Sequence, residues 1–202
     1  MSSMPDSPVS TWSAYYQAAI NKPLHPLFLT LEPYLPDSGN AIDLGCGVGH
    51  AVVWLANKGW QVDAVDGHEE ALRIVASRLG EEEKSRVQLI QERLEDVRIE
   101  PATYDVVIAA FSLFFIESRE AFLNTWAEIQ SGLKPGGYFL GEFLGLNDDW
   151  SDRCLVNSRS EVEGFLSKLE TVHFEEVDQD GETSVGVDKH WHIFHVIARK
   201  PA

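Results

Sequence analysis

The stretch AIDLGCGVGH, residues 41–50, constrains the fold of this chain more than any other. A short apolar run holding one acid, Asp43, leads into three glycines within five positions, Gly45, Gly47 and Gly49. The run reads as a buried strand, and the glycines allow a tight turn with close backbone approach. HAVVWLANKG follows with a helical pattern that stops at Gly59. Strand, glycine-rich turn and helix in this order predict a parallel sheet that holds a ligand at the turn.

The rest of the chain keeps that alternation. WQVDAVDG is a strand with Val62, Ala64 and Asp66 on one face. EEALRIVASRLG is an amphipathic helix with Leu72, Val75 and Leu79 as its apolar stripe. VQLIQ and YDVVIAAF are strands, the second apolar enough to be central. REAFLNTWAEIQSGL is a helix with Phe122, Trp126, Ile129 and Leu133 on one face, ended by the turn KPGG. YFLGEFLG is the fifth strand, and SRSEVEGFLSKL a helix whose capping box is read as Ser160 with Glu163. ETVHFEEVDQDGETS and KHWHIFHVIARK close the chain as a hairpin-like pair at the sheet edge. The prediction is an α/β fold: a doubly wound sheet of seven strands, mostly parallel with an antiparallel last strand, helices on both faces. One domain spans 11–202, with a helical cap over about 11–36 and a disordered Ser- and Pro-rich tail at 1–10.

With 32 acidic against 16 basic residues the net charge is −16, which repels phosphate backbones and anionic lipid. Nucleic acid and membrane are therefore not expected as partners. MSSMPDSPVS lacks the pattern of a secretory signal, so the cytoplasm is the expected location. Cys46 and Cys154 make no disulfide framework, and Cys46 reads as a compact filler of the turn.

The glycine period selects among ligands. A dinucleotide turn reads G-x-G-x-x-G, whereas this chain reads G-C-G-V-G-H, with His50 where the third glycine belongs. A Gly-Lys phosphate loop is absent too. Asp66 ends the second strand, 17 residues after Gly49, where a carboxylate can accept both hydroxyls of a ribose.

AIDLGCGVG and VDAVDG, followed by YDVVIAAFSLFF and LKPGGYFLGEF, resemble the class I S-adenosylmethionine-dependent methyltransferases over residues 41–142. Within that superfamily the chain is similar to small bacterial enzymes, including the tellurite- and thiol-methylating branch. The resemblance implies a Rossmann-like fold and S-adenosyl-L-methionine as cofactor. It implies a cradle of Asp43, Gly45, Cys46, Gly47 and Gly49, with Gly45 and Cys46 toward the methionine part. Asp66 would take the ribose hydroxyls, and Gly67 and His68 would flank the adenine. Where the family carries an acid for the adenine amino group, this chain has Arg93, so either Glu92 or the backbone around Arg93 and Leu94 makes that contact. Ala110 and Phe111 would lie against the methionine part and the sulfonium.

Other residues follow as acceptor or lid candidates. In TWSAYYQ, Tyr15 and Tyr16 are placed to cap the pocket or to pack in the core. Phe114, Phe115 and Trp150 are acceptor contacts or core and loop residues. In KHWHIFHV, His190 and His192 share one strand face and His195 takes the other. The same-face pair is the candidate for acceptor orientation or base, against plain edge-strand packing, and no third ligand suggests a metal. The expected reaction is methyl transfer to a small-molecule acceptor. The alternatives are a nicotinamide-dependent oxidoreductase and a non-catalytic cofactor-binding module.

Overall fold

The computed structural model describes residues 12–202, so the expected tail at 1–10 lies outside the described residues. Two short helices come first, α1 (Trp12–Ala19) and α2 (Pro26–Leu31). Pro26 opens α2, where its missing N–H is not needed, and His25 Nδ1 accepts the Leu27 N–H at 3.3 Å as the cap.

The sheet is built from β1 (Asn40–Leu44), β2 (Gln61–Asp66), β3 (Val87–Gln91), β4 (Tyr104–Ala109), β5 (Leu133–Gly145), the two-residue β6 (Val156–Asn157), β7 (Glu170–Glu182) and β8 (Asp188–Arg199). Its order is β3-β2-β1-β4-β5-β8-β7, with β6 added beside β5. The seven expected strands are present, and β6 is a short eighth. Strand β8 alone runs antiparallel, paired to β5 on one side and β7 on the other. The last strand is therefore interior, and β7 forms the edge.

Helices α3 (His50–Asn57), α4 (Glu69–Arg78) and the single turn α5 (Glu81–Lys84) link β1, β2 and β3. With α2, the first two cover one face, where Leu31, Leu55 and Val75 pack on Val62, Val106 and Ile108. Helices α6 (Arg119–Gly132) and α7 (Arg159–Phe165) cover the other, setting Phe122, Trp126 and Ile129 on Val107, Phe139, Phe143 and Phe194. Each large apolar side chain removed from water contributes roughly 1.5–3 kcal/mol, which fixes the helices on the sheet.

No helix joins β3 to β4; residues 92–103 cross as a loop that buries Val97 and Ile99. Two local readings change. KPGG is not a turn before β5 but a bulge within it. Leu133 pairs with Tyr104 and Tyr138 with Val106, so the four intervening residues leave the ladder. The capping box of α7 sits two residues earlier than expected, between Ser158 and Glu161, because Ser158 is the last residue with extended backbone.

Candidate cofactor and acceptor site

In this strand order β1 lies between β2 and β4, and the connections leave in opposite directions from that point. A crevice opens there beyond the carboxyl ends of the strands. It is a cavity of about 530 Å³, within the roughly 300–1,000 Å³ range of small-molecule sites.

The glycine turn forms its floor. Gly45, Gly47 and Gly49 all have positive φ, at 78°, 52° and 76°. A Cβ on Gly45 would stand 2.5 Å from the Ser112 Cβ. A Cβ on Gly49 would stand 2.6 Å from Val75 Cγ2, so this glycine seats α3 against α4 and does not line the cavity. Asp66 ties the turn to β2: its Oδ2 accepts the Gly47 N–H at 2.9 Å and its Oδ1 the His68 N–H at 2.9 Å. Each carboxylate oxygen keeps acceptor capacity for a ligand hydroxyl.

Asp43 is buried beside this cradle. Loss of water, and then the nearby Asp66 charge, push its carboxyl up to about 7. Burial likewise raises the Cys46 thiol well above its ordinary value, which suits a filler and not a nucleophile.

Asp43, Gly45, Cys46, Gly47, Asp66, Gly67, His68, Arg93, Leu94, Ala110 and Phe111 all line the cavity. So do Tyr15, Tyr16, Phe114, Phe115 and Trp150. Trp12 on α1 packs on His68 and Phe115, with ring centroids 5.3 and 5.2 Å away, so α1 closes the side of the cavity above the turn. Glu92 does not line it; Arg93 does, paired with Glu95 and with Glu117 at 2.9 Å. Glu95 also reaches the cavity and is an acid the sequence reading passed over, two residues beyond Arg93.

His190 and His192 fall outside. They lie on the far face of β8 in a surface charge network: His190 meets Asp178 and Asp180, both at 2.7 Å, and His192 meets Glu176 at 3.0 Å. The two aspartates, Asp180 foremost, raise the His190 imidazole above its usual range. The opposite face of the same strand turns Trp191, Ile193 and His195 to the cavity. The usable signal was the apolar character of that alternate set against the acids across from the other.

His195 is not alone there. Glu142, only 1% exposed, approaches the His195 Nδ1 at 3.4 Å, and its other oxygen accepts the Phe111 N–H at 2.9 Å. His25 stacks on His195 with centroids 5.3 Å apart. Phe111 is held at φ 54°, an unfavourable value for a large side chain.

The roof comes from the β7–β8 hairpin, whose tip residues 179–185 line the cavity. Lys189 anchors it. Its ammonium pairs with Asp148 at 2.5 Å, both side chains essentially out of solvent, and lies 4.6 Å from the Trp150 ring centroid and 3.9 Å from that of Trp191.

A family model described as a methyltransferase domain matches residues 41–137. That stretch is just under half of the chain, and over it the chain is similar to methyltransferase domains. The cofactor that this likeness implies is S-adenosyl-L-methionine, whose product S-adenosylhomocysteine is bound in one structure of the same fold. The fold is shared with TehB from Haemophilus influenzae, at 17% identity, a TM-score of 0.71, and coverage of 88% of this chain and 62% of that one. It is shared with the 1,6-didemethyltoxoflavin-N1-methyltransferase of Burkholderia thailandensis, whose structure holds 1,6-didemethyltoxoflavin and S-adenosylhomocysteine. Identity there is 21% and the TM-score 0.68, over 94% of this chain and 85% of that one. The chain is also 31% identical over 137 residues to the S-adenosyl-L-methionine-dependent Diels-Alderase iccD of Talaromyces variabilis, which is 64% of this chain and 44% of that protein. The curated relatives are thus matched over less than half of their own length. No described helix is long and apolar enough to cross a membrane.

The residues present fit the cofactor. A buried acid at the end of β2, a turn of positive-φ glycines and an adjoining apolar chamber match a nucleoside joined to an amino-acid tail. The early third glycine leaves the nicotinamide alternative without a pyrophosphate turn.

Proposed function

We propose that the protein transfers a methyl group from S-adenosylmethionine to a small, largely apolar acceptor. One observation carries this reading. The cavity runs past the cradle into a chamber walled by Phe111, Phe115, Trp150 and Trp191 and roofed by the hairpin tip. Nucleoside recognition at one end and an aromatic-walled space at the other suit a transfer between two small molecules. The −16 charge favours a neutral or cationic acceptor over a nucleic acid.

The cofactor supplies a methyl carbon activated by its sulfonium. The chain's part is placement. Asp66 would accept the ribose hydroxyls, the Gly45–Gly47 backbone would approach the methionine portion, and Gly67, His68 and Leu94 would flank the adenine. Tyr15, Tyr16 and Trp12 exclude water from above. Holding acceptor and methyl carbon in attack geometry can lower a barrier by about 7–11 kcal/mol in favourable systems. The toxoflavin enzyme of the same fold, with a small heteroaromatic acceptor bound, supports this substrate size.

Calorimetry with S-adenosylmethionine tests the first half; absence of binding at about 1 mM would sink the proposal. A scan of small acceptors with a labelled methyl donor tests the second. The likeness to iccD favours one other reading, a protein that uses the bound cofactor without transferring its methyl. Cofactor binding with no label moved to any acceptor would select it.

A further inference from the structure

We infer that His195 is the base that takes the proton from a hydroxyl acceptor, positioned by Glu142 and matched by His25 as a donor; this rests on the methyl-transfer reading above. The three groups come from three elements. One nitrogen of each ring and one Glu142 oxygen all lie within 4.8 Å of one another, and both rings line the cavity.

The tautomers follow from the neighbours. The Phe111 N–H fixes Glu142 Oε2 at 2.9 Å, which aims Oε1 at His195 Nδ1, 3.4 Å away. A carboxylate there holds the proton on Nδ1 and leaves the lone pair on Nε2. His25 is the reverse. Its Nδ1 accepts the Leu27 N–H, so its Nε2 carries the hydrogen, and burial lowers its pKa and keeps the ring neutral. One ring accepts and the other donates. A hydroxyl, which does both, is the complement of the pair; a thiolate or carboxylate is not. A metal fits the set poorly, because binding through His25 Nε2 would move the ring hydrogen to Nδ1, against the Leu27 N–H. Phe111, 6.2 Å from His195 and 6.3 Å from Trp191 by ring centroids, gives the acceptor a flat apolar wall. An aromatic hydroxyl meets all of these conditions.

In the step, the acceptor O–H proton passes to His195 Nε2 and an oxygen lone pair forms the new bond to the methyl carbon. The carbon–sulfur bond breaks with its electrons kept by sulfur, giving S-adenosylhomocysteine, and the imidazolium returns its proton to water. The titratable groups around His195 are Glu142 on β5, Glu175 opposite it on β7, His25 before α2, and Tyr15 on α1, whose hydroxyl feels Glu142.

Two measurements test this on the full chain. Long-range proton–nitrogen spectra should show His195 as the Nδ1–H tautomer, and Glu142→Gln should invert it, since the amide oxygen stays on the Phe111 N–H and its NH2 faces the ring. The Nε2–H tautomer in the unaltered protein would overturn the inference. Labelled-methyl transfer to 4-nitrophenol, catechol and 7-hydroxycoumarin is then compared with thiophenol and benzoate. Expected are transfer to the hydroxyls alone, and a kcat that drops about 100-fold or more in His195→Gln. KM and cofactor affinity should stay within about threefold, and Glu142→Asp should recover part of what Glu142→Gln loses. Full activity in His195→Gln, transfer to thiophenol alone, transfer to none of the hydroxyls, or activity abolished by EDTA would each overturn it. Failure to bind S-adenosylmethionine defeats the methyl-transfer reading itself, whereas normal cofactor binding with any of those outcomes defeats the base alone.

Discussion

Asp66 Oδ2 accepts the Gly47 N–H at 2.9 Å, so the acid that ends β2 also braces the glycine turn that ends β1. One carboxylate thereby sets the shape of the cradle and offers its remaining lone pairs to a ligand. Asp66→Ala removes both roles. Hydrogen bonds to a charged acceptor contribute about 1.5–3 kcal/mol each. The expected loss is about 2–4 kcal/mol of cofactor affinity, roughly 30- to 1,000-fold in Kd by calorimetry.

Gly45→Ala should disable the site by geometry. The residue sits at φ 78° and its new methyl would stand 2.5 Å from the Ser112 Cβ, whose hydroxyl is bonded to the Leu44 carbonyl at 2.6 Å. The expected outcome is roughly 1–3 kcal/mol lower stability in urea unfolding, with cofactor binding weakened further because the turn must shift.

Asp43 makes stability depend on pH in the direction opposite to a paired carboxylate. Its carboxyl holds a proton up to about 7 in the fold, whereas the unfolded chain releases it near the ordinary value of 3.8. Between those limits the native state binds the extra proton, so stability falls as pH rises. Thermal unfolding across that window should show a downward slope that flattens in Asp43→Asn, which has no proton to lose. An equal slope in both proteins would contradict the assignment.

Lys189→Ala strands a buried carboxylate. Asp148 also accepts the Trp150 and His192 N–H groups at 2.9 and 3.1 Å, so the loop before β6 is fastened to the hairpin through it. Removing one partner of a buried pair costs about 3–5 kcal/mol. Urea denaturation should show that drop, and acrylamide should quench tryptophan fluorescence more readily as Trp150 and Trp191 loosen. An unchanged midpoint would mean that the pair does not hold the roof.

His190→Ala, on the far face of β8, should leave cofactor affinity within about twofold, since among the described residues its ring meets only Asp178, Asp180 and Asn147. Its raised pKa means that the latch it forms is complete below the unfolded value and fades as pH rises through the folded one. Hydrogen exchange of the hairpin should accordingly quicken at alkaline pH in the unaltered protein and be less pH-dependent in the variant.

What the sequence determined by itself is whatever rests on local pattern. The strand–turn–helix at residues 41–57, the acid that ends β2 and the apolar faces of α4 and α6 depend on spacing within a few residues, and the structure contains them where the pattern puts them. The glycine-turn end of the cavity was legible for that reason. The acceptor end was not. The alternation of β8 separated His190 and His192 from His195, but only the helices packed on each face decide which side meets the cavity. Glu142 and His195 are 53 residues apart in the chain and meet through the antiparallel register of β5 and β8. His25 joins them because α2 packs across the sheet. The bulge at Lys134–Gly137 shows only in the register of two strands, where Leu133 pairs with Tyr104 and Tyr138 with Val106. Local propensity cannot report such pairings, since their free energy comes from surfaces that meet only after the chain has folded.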